Sequence, residues 1–354
     1  MKVNTQILKN MLSKVGNIKA NNLLEITQYY ELDFNDNTLT INATDGVNFM
    51  SVSHETKTES NMKIIVKVDQ FTKLINRTTK DTVELTVKDN YLEVKGNGTY
   101  KVEIVVDEVY PTLFISEDEE FIVDTKSLSE AIKGGKNAKG AVPTEGILYS
   151  YLVRDSHVLT ANGIKVYGRE IEGDDIKDLE ILIPPVLAGL IHTVDLDKAT
   201  LITDKDKMYM KIIGQDVTVT GALADGVEDY PALDSILNMN YEYNVELDVK
   251  EMLNALDRLN LFTTQYDKGI LDMIFSSDSI TLATSSKSIE SIPYLTMIDL
   301  NTPLEMNING NHLRDLLQSC EDKSVMIGFG DEDSIKLTTS QATMALALAS
   351  EDDE

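Results

Sequence analysis

The sequence contains a single cysteine, Cys320, and only four histidines, which lie far apart along the chain. One cysteine excludes an intramolecular disulfide, and Cys320 is interpreted as a small buried hydrophobic residue on the last predicted helix. The histidines, at positions 54, 157, 192 and 312, have none of the Cys, His and Asp spacings that metal sites show. Lone histidines are mostly structural or surface groups, so we expect no metal and no other cofactor.

Long apolar runs and catalytic motifs are also missing. No apolar stretch approaches the ~18 residues of a membrane helix, and the first residues do not resemble a signal peptide. The GxxxxGK[ST], GxGxxG and GxSxG motifs are absent, and Gly96-Asn97-Gly98 between two alternating strands is predicted to be a hairpin turn. With 59 acidic residues, close carboxylate pairs arise by chance and do not indicate acid–base catalysis. We therefore expect a cytoplasmic protein that is not an enzyme and does not bind a membrane.

What the sequence does contain is an internal repeat. Residues 62–113 predict a strand, a short helix with apolar residues at helical spacing, and three further strands that end at Tyr110-Pro111-Thr112-Leu113. The same order returns about 120 residues later and ends at Tyr230-Pro231-Ala232-Leu233, and it returns more weakly over residues 304–349. A recurrence at this spacing indicates one architecture used three times.

Each of these units follows a similar helix and pair of strands. Helices are predicted over residues 4–16, 125–133 and 249–259, and the strands after the first of them over residues 25–33 and 38–43. The pattern predicts an α+β fold of three repeated domains, each of two helix-plus-antiparallel-strands halves. The predicted domains are residues 1–117, 118–239 and 240–354.

The net charge of −27 argues against a nucleic-acid partner, but the charges are unevenly distributed. Six predicted helical segments hold 15 of the 32 basic residues and only 12 of the 59 acidic ones. They are residues 4–20, 69–80, 124–139, 184–197, 248–268 and 309–323. On the second helix Lys73, Arg77 and Lys80 are spaced i, i+4, i+7, which predicts a cationic stripe opposite the apolar one. One interpretation is that these are ordinary solvated helix faces. The other is that the helices share a basic surface and the strands face an acidic exterior. The fourth segment has no Lys or Arg, which weakens the second interpretation locally.

Short motifs within this order resemble a known family. They are Ala43-Thr44-Asp45-Gly46, Leu159-Thr160-Ala161-Asn162-Gly163, the two Tyr-Pro-x-Leu ends and Ser340-Gln341 before the last strand. Together they resemble the beta subunit of bacterial DNA polymerase III, the sliding clamp, over essentially the whole chain. The resemblance implies three sliding-clamp domains that form half of a closed homodimeric ring, with helices lining the hole and a continuous sheet outside.

The family's function implies double-stranded DNA, a DNA polymerase and a clamp loader as partners. Basic helices would hold the duplex through its phosphates without reading sequence, and the acidic exterior would repel it. Aromatic residues are few and not interleaved with the basic ones, which argues against single-strand binding by base stacking. The implied DNA-binding residues are Lys9, Lys14, Lys19, Lys73, Arg77, Lys80, Lys126, Lys133, Lys136, Lys139, Lys250, Arg258 and Arg314.

The resemblance also implies an apolar pocket between the second and third domains for short peptides of partner proteins. Its residues by position are Thr144, Ala161, Gly163, Val166, Asn238, Tyr243, Leu346 and Leu348. For Leu346 and Leu348, the alternation along residues 344–348 fits strand core equally well. Leu261 and Phe262 would meet the first domain of the other subunit near the strand of residues 100–106, or else belong to the core of their own domain.

The chain departs from the family at its end. Family members end in a short Met-Pro-Met-Arg-Leu-like run, whereas this sequence ends Ala349-Ser350-Glu351-Asp352-Asp353-Glu354, and Ile164-Lys165 replaces a common His-Arg. These differences predict a changed peptide preference and suit a clamp encoded by a phage or mobile element. Two alternatives are a two-domain trimeric clamp, which three repeats disfavour, and an acidic structural or DNA-mimicking protein, which the clustered helix lysines disfavour.

Overall fold

The computed structural model describes residues 1–105, 108–263 and 269–349, and for residues 57–60 it describes the backbone alone. Three parts of the sequence predictions lie outside these residues. They are the end of the strand predicted over residues 100–106, residues 264–268 of the fifth helical segment, and the acidic tail of residues 350–354.

Seven α-helices form in the described residues, and six of them confirm the predicted helices. Polar residues begin three of these helices, since the side chains of Asn4, Asp248 and Asn309 accept hydrogen bonds from N–H groups of the first turn. The short α5 was not predicted. The helices are α1 (Thr5–Val15), α2 (Val68–Asn76), α3 (Thr125–Gly135), α4 (Pro185–Ile191), α5 (Asp234–Leu237), α6 (Val249–Leu259) and α7 (Gly310–Leu317).

The strands of the described residues pair antiparallel throughout, which with the helices confirms the predicted α+β class. In chain order the first eleven are β1 (Lys2–Asn4), β2 (Tyr29–Thr44), β3 (Phe49–Lys67), β4 (Thr82–Val87), β5 (Tyr91–Lys95), β6 (Thr99–Val105), β7 (Glu119–Val123), β8 (Tyr151–Arg154), β9 (His157–Ala161), β10 (Lys165–Glu170) and β11 (Gly173–Asp174). The others are β12 (Ile181–Ile183), β13 (Ala199–Thr203), β14 (Tyr209–Ile213), β15 (Val217–Ala222), β16 (Tyr243–Asp248), β17 (Ile270–Phe275), β18 (Ser279–Ala283), β19 (Ile289–Pro293), β20 (Leu304–Asn309), β21 (Ser324–Phe329), β22 (Ser334–Thr338) and β23 (Ala342–Ala347).

The chain forms two compact units. The first comprises Met1–Lys126, Gly173–Asp175 and Val186–Leu223, and the second comprises Ser127–Glu172, Ile176–Pro185 and the described residues from Ala224 on. Each unit contains strand pairing across a predicted domain boundary, so the boundaries at 117 and 239 stay predictions.

The first unit is built on an eleven-stranded sheet with the order β1-β4-β5-β6-β3-β15-β14-β13-β7-β11, and β2 pairs with β3 beside this path. The amphipathic helices α1 and α2 pack against each other and bury Leu8, Phe71 and Ile75 completely. The link between the first and second repeats is the β15–β3 pair, in which Val217 lies opposite Val52 and Thr220 opposite Phe49.

The second unit contains an eight-stranded sheet with the order β12-β8-β9-β10-β23-β22-β21-β16 and a four-stranded sheet with the order β19-β18-β17-β20. Residues of α6, α7 and the strands form a large hydrophobic core. Within it the rings of Phe275 on β17 and Phe329 on β21 stack with centroids 3.7 Å apart. The second and third repeats are joined by β10 and β23, in which Lys165 lies opposite Leu346 and Arg169 opposite Ala342.

The repeated motifs form the same turn in each unit. The Asp45 carboxylate accepts hydrogen bonds from the N–H groups two and three residues ahead, and the Asn162 side-chain oxygen does the same. Gly46 and Gly163, which follow them, have φ of 97° and 85°, a conformation that glycine adopts without strain. The Asp-Gly and Asn-Gly motifs are therefore structural equivalents.

Several predicted elements differ from the structure. Residues 25–28 form a 3₁₀ turn instead of a strand, and β2 runs on continuously where two strands were predicted. Most of β3 was not predicted, because polar residues dominate positions 53–63 and hide the strand pattern. Cys320 follows α7 instead of lying on it and is half-buried, although burial does raise its pKa to about 12. No helix of the described ranges is long and apolar enough to cross a membrane.

Candidate nucleic-acid interface and partner pocket

The helix α1 presents its apolar side to the core and its lysines to the opposite side. Lys14 forms an ion pair with Asp216 at 2.7 Å, with both groups partly exposed. The ammonium of Lys9 donates to the carbonyl of Thr78 at 2.8 Å, and that of Lys19, beyond the helix end, to the carbonyl of Gly16 at 3.0 Å. Of the three, Lys14 alone is neutralised by a carboxylate in the described residues.

The single cationic stripe predicted on α2 is wrong in its last member. The helix ends at Asn76, with Arg77 as the C-terminal cap, and Lys80 lies in the loop that follows. The side chain of Asn97, in the turn between β5 and β6, accepts the N–H of Thr79 and holds that loop away from a helical path. Lys73 pairs with Asp69 one turn earlier at 2.7 Å, but both groups are well exposed, so this pair adds little stability.

The third helix carries exposed lysines at positions 126 and 133, and exposed Lys136 directly follows its end. Lys139, beyond its end, is half-buried: its ammonium lies 4.1 Å from the ring centre of Tyr149 and donates to the carbonyl of Gly140. Burial lowers the pKa of Lys139 from its usual value. Lys139 therefore serves the fold of its own loop, and the three exposed lysines are the better candidates for phosphate contact.

The two arginines predicted to bind DNA on α6 and α7 are both paired with acids. The guanidinium of Arg258 donates two hydrogen bonds to Glu290 on β19, at 2.6 and 2.8 Å, which holds the pKa of that carboxyl below its usual value. Arg314 donates to Asp257 at 2.5 Å. Four of the predicted DNA-binding residues are thus in ion pairs: Lys14, Lys73, Arg258 and Arg314. The described residues offer no ion pair to Lys9, Lys19, Arg77, Lys80, Lys126, Lys133, Lys136, Lys139 or Lys250.

The predicted pocket residues do not line one surface. Val166 lies opposite Ala345 in the β10–β23 ladder, and Lys165 lies opposite Leu346. Opposed residues of an antiparallel pair point to the same face and neighbours along a strand alternate, so Val166 and Leu346 point to opposite faces of the sheet. Two separate clusters agree with this register: Val166 packs with Ala161, Tyr230 and Leu233, and Leu346 packs with Tyr167 and Met344.

Leu346 is completely buried, so the strand-core alternative is the correct one for this residue. Leu348 is half-buried against the same core, and Tyr243 stacks on Phe329 with ring centres 5.5 Å apart. The other predicted residues, Thr144, Gly163 and Asn238, are exposed. The geometry therefore removes Leu346 from the predicted pocket and separates Leu348 from Val166.

A cleft of about 310 Å³ does lie beside α5, and sequence reasoning missed it. Among the described residues that line this cleft, Asn238 alone was predicted to belong to the peptide pocket. Gly168 lies at the floor of the cleft, where a Cβ would come 2.7 Å from a terminal methyl of Leu237 on α5 and would require that side chain to shift. The rest of its lining is mostly polar: Arg154, Asp155, His157, Leu159, Glu170, Asp234, Thr339, Ser340, Gln341, Ala342 and Thr343.

Two cations of β10 are buried in the second unit. The ammonium of Lys165 pairs with Asp315 of α7 at 2.7 Å, and the guanidinium of Arg169 contacts Glu130 of α3 at 2.6 Å and Glu321 at 3.2 Å. The Lys165 side chain is 5% exposed and that of Arg169 is 6%. Lys165, in the Ile164-Lys165 sequence that departs from the family, therefore holds α7 against the sheet.

Arg169→Met is expected to lower the stability of the second unit. The change leaves Glu130 and Glu321 without their shared cation, and because both carboxylates are partly exposed we expect a cost of about 1–3 kcal/mol. Differential scanning calorimetry measures it, with the exposed Lys177→Met as the matched control. An unchanged melting temperature of the Arg169 variant would show that these ion pairs add nothing.

Leu261 and Phe262 are exposed by 78% and 56%, so they are not core residues of their own domain. They follow the end of α6, and the carbonyl of Phe262 accepts a hydrogen bond from the hydroxyl of Ser286, shortly before β19. In the described residues β19 pairs with β18 alone, which makes it the edge of the four-stranded sheet. An apolar pair thus lies close to an unpaired strand edge.

Comparison with known proteins identifies the fold. No family model matches the chain. The beta sliding clamps of Staphylococcus aureus strains Mu50 and MW2 are 19% identical over 274 residues, which cover 73% of this chain and 71% of theirs.

The solved structures with this fold include two bacterial clamps. The Helicobacter pylori beta clamp bound to a DNA ligase peptide has a TM-score of 0.84 at 13% identity and covers 99% of both chains. The Bacillus subtilis DNA polymerase sliding clamp has a TM-score of 0.84 at 16% identity over 99% of this chain and 98% of its own. The chain therefore has the fold of bacterial DNA polymerase sliding clamps and resembles beta sliding clamps in sequence.

Proposed function

We propose that this protein is a DNA sliding clamp, a non-catalytic processivity factor of the cytoplasm. Two copies form a closed ring that encircles duplex DNA without sequence specificity and tethers the polymerase and other partners. The clamp relatives and the likeness to beta clamps over 99% of the chain favour this function over a DNA-mimicking protein or a two-domain trimeric clamp.

Strand pairing between repeats is the observation that carries the proposal. The last strand of the second repeat, β15, pairs with β3 of the first, and the last strand of the third, β23, pairs with β10 of the second. By the same rule the last strand of the first repeat, β6, should pair with β19 of the third. In the described residues β6 pairs with β5 and, at Ile104 and Val105 alone, with β3, so most of one edge is open.

A second copy satisfies both open edges at once. The β19 strand of one copy would pair with β6 of the other, and the same contact would form again on the opposite side. Exposed Leu261, Phe262 and Ile289 near β19 supply the apolar surface that such a contact buries. The ring then has six similar domains, and no backbone edge is left to pair with foreign strands.

Encirclement explains how an acidic protein can hold DNA. Lysines and arginines on the helices would attract the phosphates electrostatically without reading the base sequence. Each contact can be weak, because the closed ring stays on the duplex by topology. The acidic residues of the strands would keep a duplex from binding outside the ring.

The Helicobacter pylori clamp binds a DNA ligase peptide, which supports a peptide site in this chain as well. We place it at the apolar cluster of Ala161 and Val166 with exposed Thr144, Gly163 and Asn238 around it. Tyr230 fixes this region, since its hydroxyl accepts the N–H of Ala161 at 3.1 Å. Leu348 packs against a different cluster from Val166, and we propose it as a separate contact for the same peptide at the end of the described chain.

Solution mass and topological retention test the proposal together. Sedimentation equilibrium should give about twice the 39.4 kDa chain mass. After loading with a bacterial clamp loader, protein on nicked circular duplex should be released when a restriction enzyme linearises the DNA, because a ring slides off free ends. A mass of three chains, or equal retention on circular and linear DNA, would contradict the proposed function.

A further inference from the structure

The first and third repeats each present one pair of packed helices, α1 with α2 and α6 with α7. Their charges differ greatly. Residues 4–20 and 69–80 contain six basic residues and one acidic residue. Residues 248–263 and 309–323 contain four basic and six acidic residues. Two structurally equivalent surfaces thus have opposite net charge.

The α1–α2 surface can meet phosphate with little change. The groove between these helices is lined by Lys9, Gln6, Asn10, Ser13 and Asn76 among others, and no carboxylate lines it. Amide and hydroxyl groups also donate hydrogen bonds to phosphate oxygens, although more weakly than cations do. Arg77 and Lys80 extend the same end of α2, are exposed, and have no ion pair in the described residues.

Both arginines of the α6–α7 surface are already paired with acids, whereas Lys250 and Lys323 have no ion pair in the described residues. Arg258 makes a two-bond pair with Glu290, the geometry in which guanidinium and carboxylate bind most strongly. Arg314 is held by Asp257 on α6. The neighbouring groove also carries Glu251. A phosphate approaching this surface would meet two neutralised arginines and the carboxylate of Glu251, with Lys250 as the one unpaired cation of α6 in the described residues.

We infer that the clamp holds DNA unequally: the α1–α2 surface of the first repeat grips the duplex, and the α6–α7 surface of the third does not. This rests on the proposed function and adds to it which part of the ring touches the phosphates. In the second repeat α4 is uncharged and α3 carries exposed lysines, so we expect its helices to attract DNA less than the first repeat and more than the third.

Two matched triple variants of the full chain test the inference. Lys19→Ala with Arg77→Ala and Lys80→Ala removes three cations from the first surface, and Lys250→Ala with Arg258→Ala and Arg314→Ala removes three from the second. Binding of a fluorescent duplex is measured by anisotropy across a salt titration. The first triple should lose at least about tenfold in affinity at low salt. Its plot of log binding constant against log salt concentration should become shallower by about 2–3, because each lost phosphate contact removes ~0.9 from that slope. The second triple should change affinity less than about twofold.

A third variant tests the cause. Asp257→Asn with Glu290→Gln frees both arginines without removing any cation, so duplex binding should strengthen and the salt slope should steepen by up to about 2. An equal loss in both triples, or no gain in this variant, would overturn the unequal grip. Absence of any salt-dependent binding by the wild type, together with no retention on circular DNA, would instead overturn the proposed function. Melting temperatures of all variants establish that each is folded.

Discussion

A Leu261→Lys, Phe262→Lys double variant is expected to be a folded monomer that is no longer retained on circular duplex. Both side chains are well exposed in the single chain, so lysine there costs the fold little. In the proposed interface each would be a buried anchor, and the loss of two anchors at about 2 kcal/mol or more each weakens the dimer roughly a thousandfold. Sedimentation velocity and calorimetry on the same sample measure association and folding separately.

The matched control places two lysines at exposed apolar positions away from β19. Met208 and Met326 are exposed by 48% and 38% and suit this purpose. Their double lysine variant should stay dimeric and be retained on DNA. If the Leu261 and Phe262 variant remains dimeric, or if it unfolds, these residues do not form the subunit interface.

Leu346→Ala is expected to destabilise the protein strongly, whereas Leu348→Ala is expected to leave its melting temperature nearly unchanged. The first side chain is completely buried, and a buried Leu→Ala change typically costs about 2–5 kcal/mol through lost burial and the cavity left behind. The second is half-buried at the end of the described chain, so a much smaller cost follows. Two chemically identical changes, one on β23 and one just beyond its end, thus serve as controls for each other.

The same pair separates folding from partner binding. Leu348→Ala should keep its dimer and its DNA retention and lose stimulation of the polymerase if Leu348 contacts a partner peptide. Thermal unfolding and a primer-extension assay give the two readouts. Normal polymerase stimulation by Leu348→Ala would remove this residue from the proposed peptide site, and an unchanged melting temperature of Leu346→Ala would contradict the packing described for β23.

Six of the seven described helices could be predicted because their apolar residues recur at helical spacing, and Val249–Leu259 was obtained with the bounds that the structure shows. Strands whose pattern is broken by charge were missed. In β10 the cations Lys165 and Arg169 are buried by acids far away in sequence, so the alternation looks like that of a surface segment. In β7 two glutamates begin the strand and resemble a linker.

The candidate site was harder to predict, because it depends on which face of a strand each residue occupies. A shift of one residue in register moves a side chain to the other face, and the sequence alone does not determine the register of β23 against β10. The cationic surface has a similar difficulty. Asp69 beside Lys73 is visible one helical turn away, but the acid that neutralises Lys14 is Asp216, which only the fold brings near.

The open edges of β6 and β19 also make assembly a problem of polymer closure. The proposed contact joins two different ends of the chain, so each added copy would again present one free end of each kind, and such a contact can give a ring or an open filament. The contact itself then sets how tightly copies bind. The angle through which each chain rotates the next copy sets how many copies complete the ring. A substitution at the β15–β3 or β10–β23 junction that altered this angle would therefore change the number of copies in the ring without weakening the contact between copies.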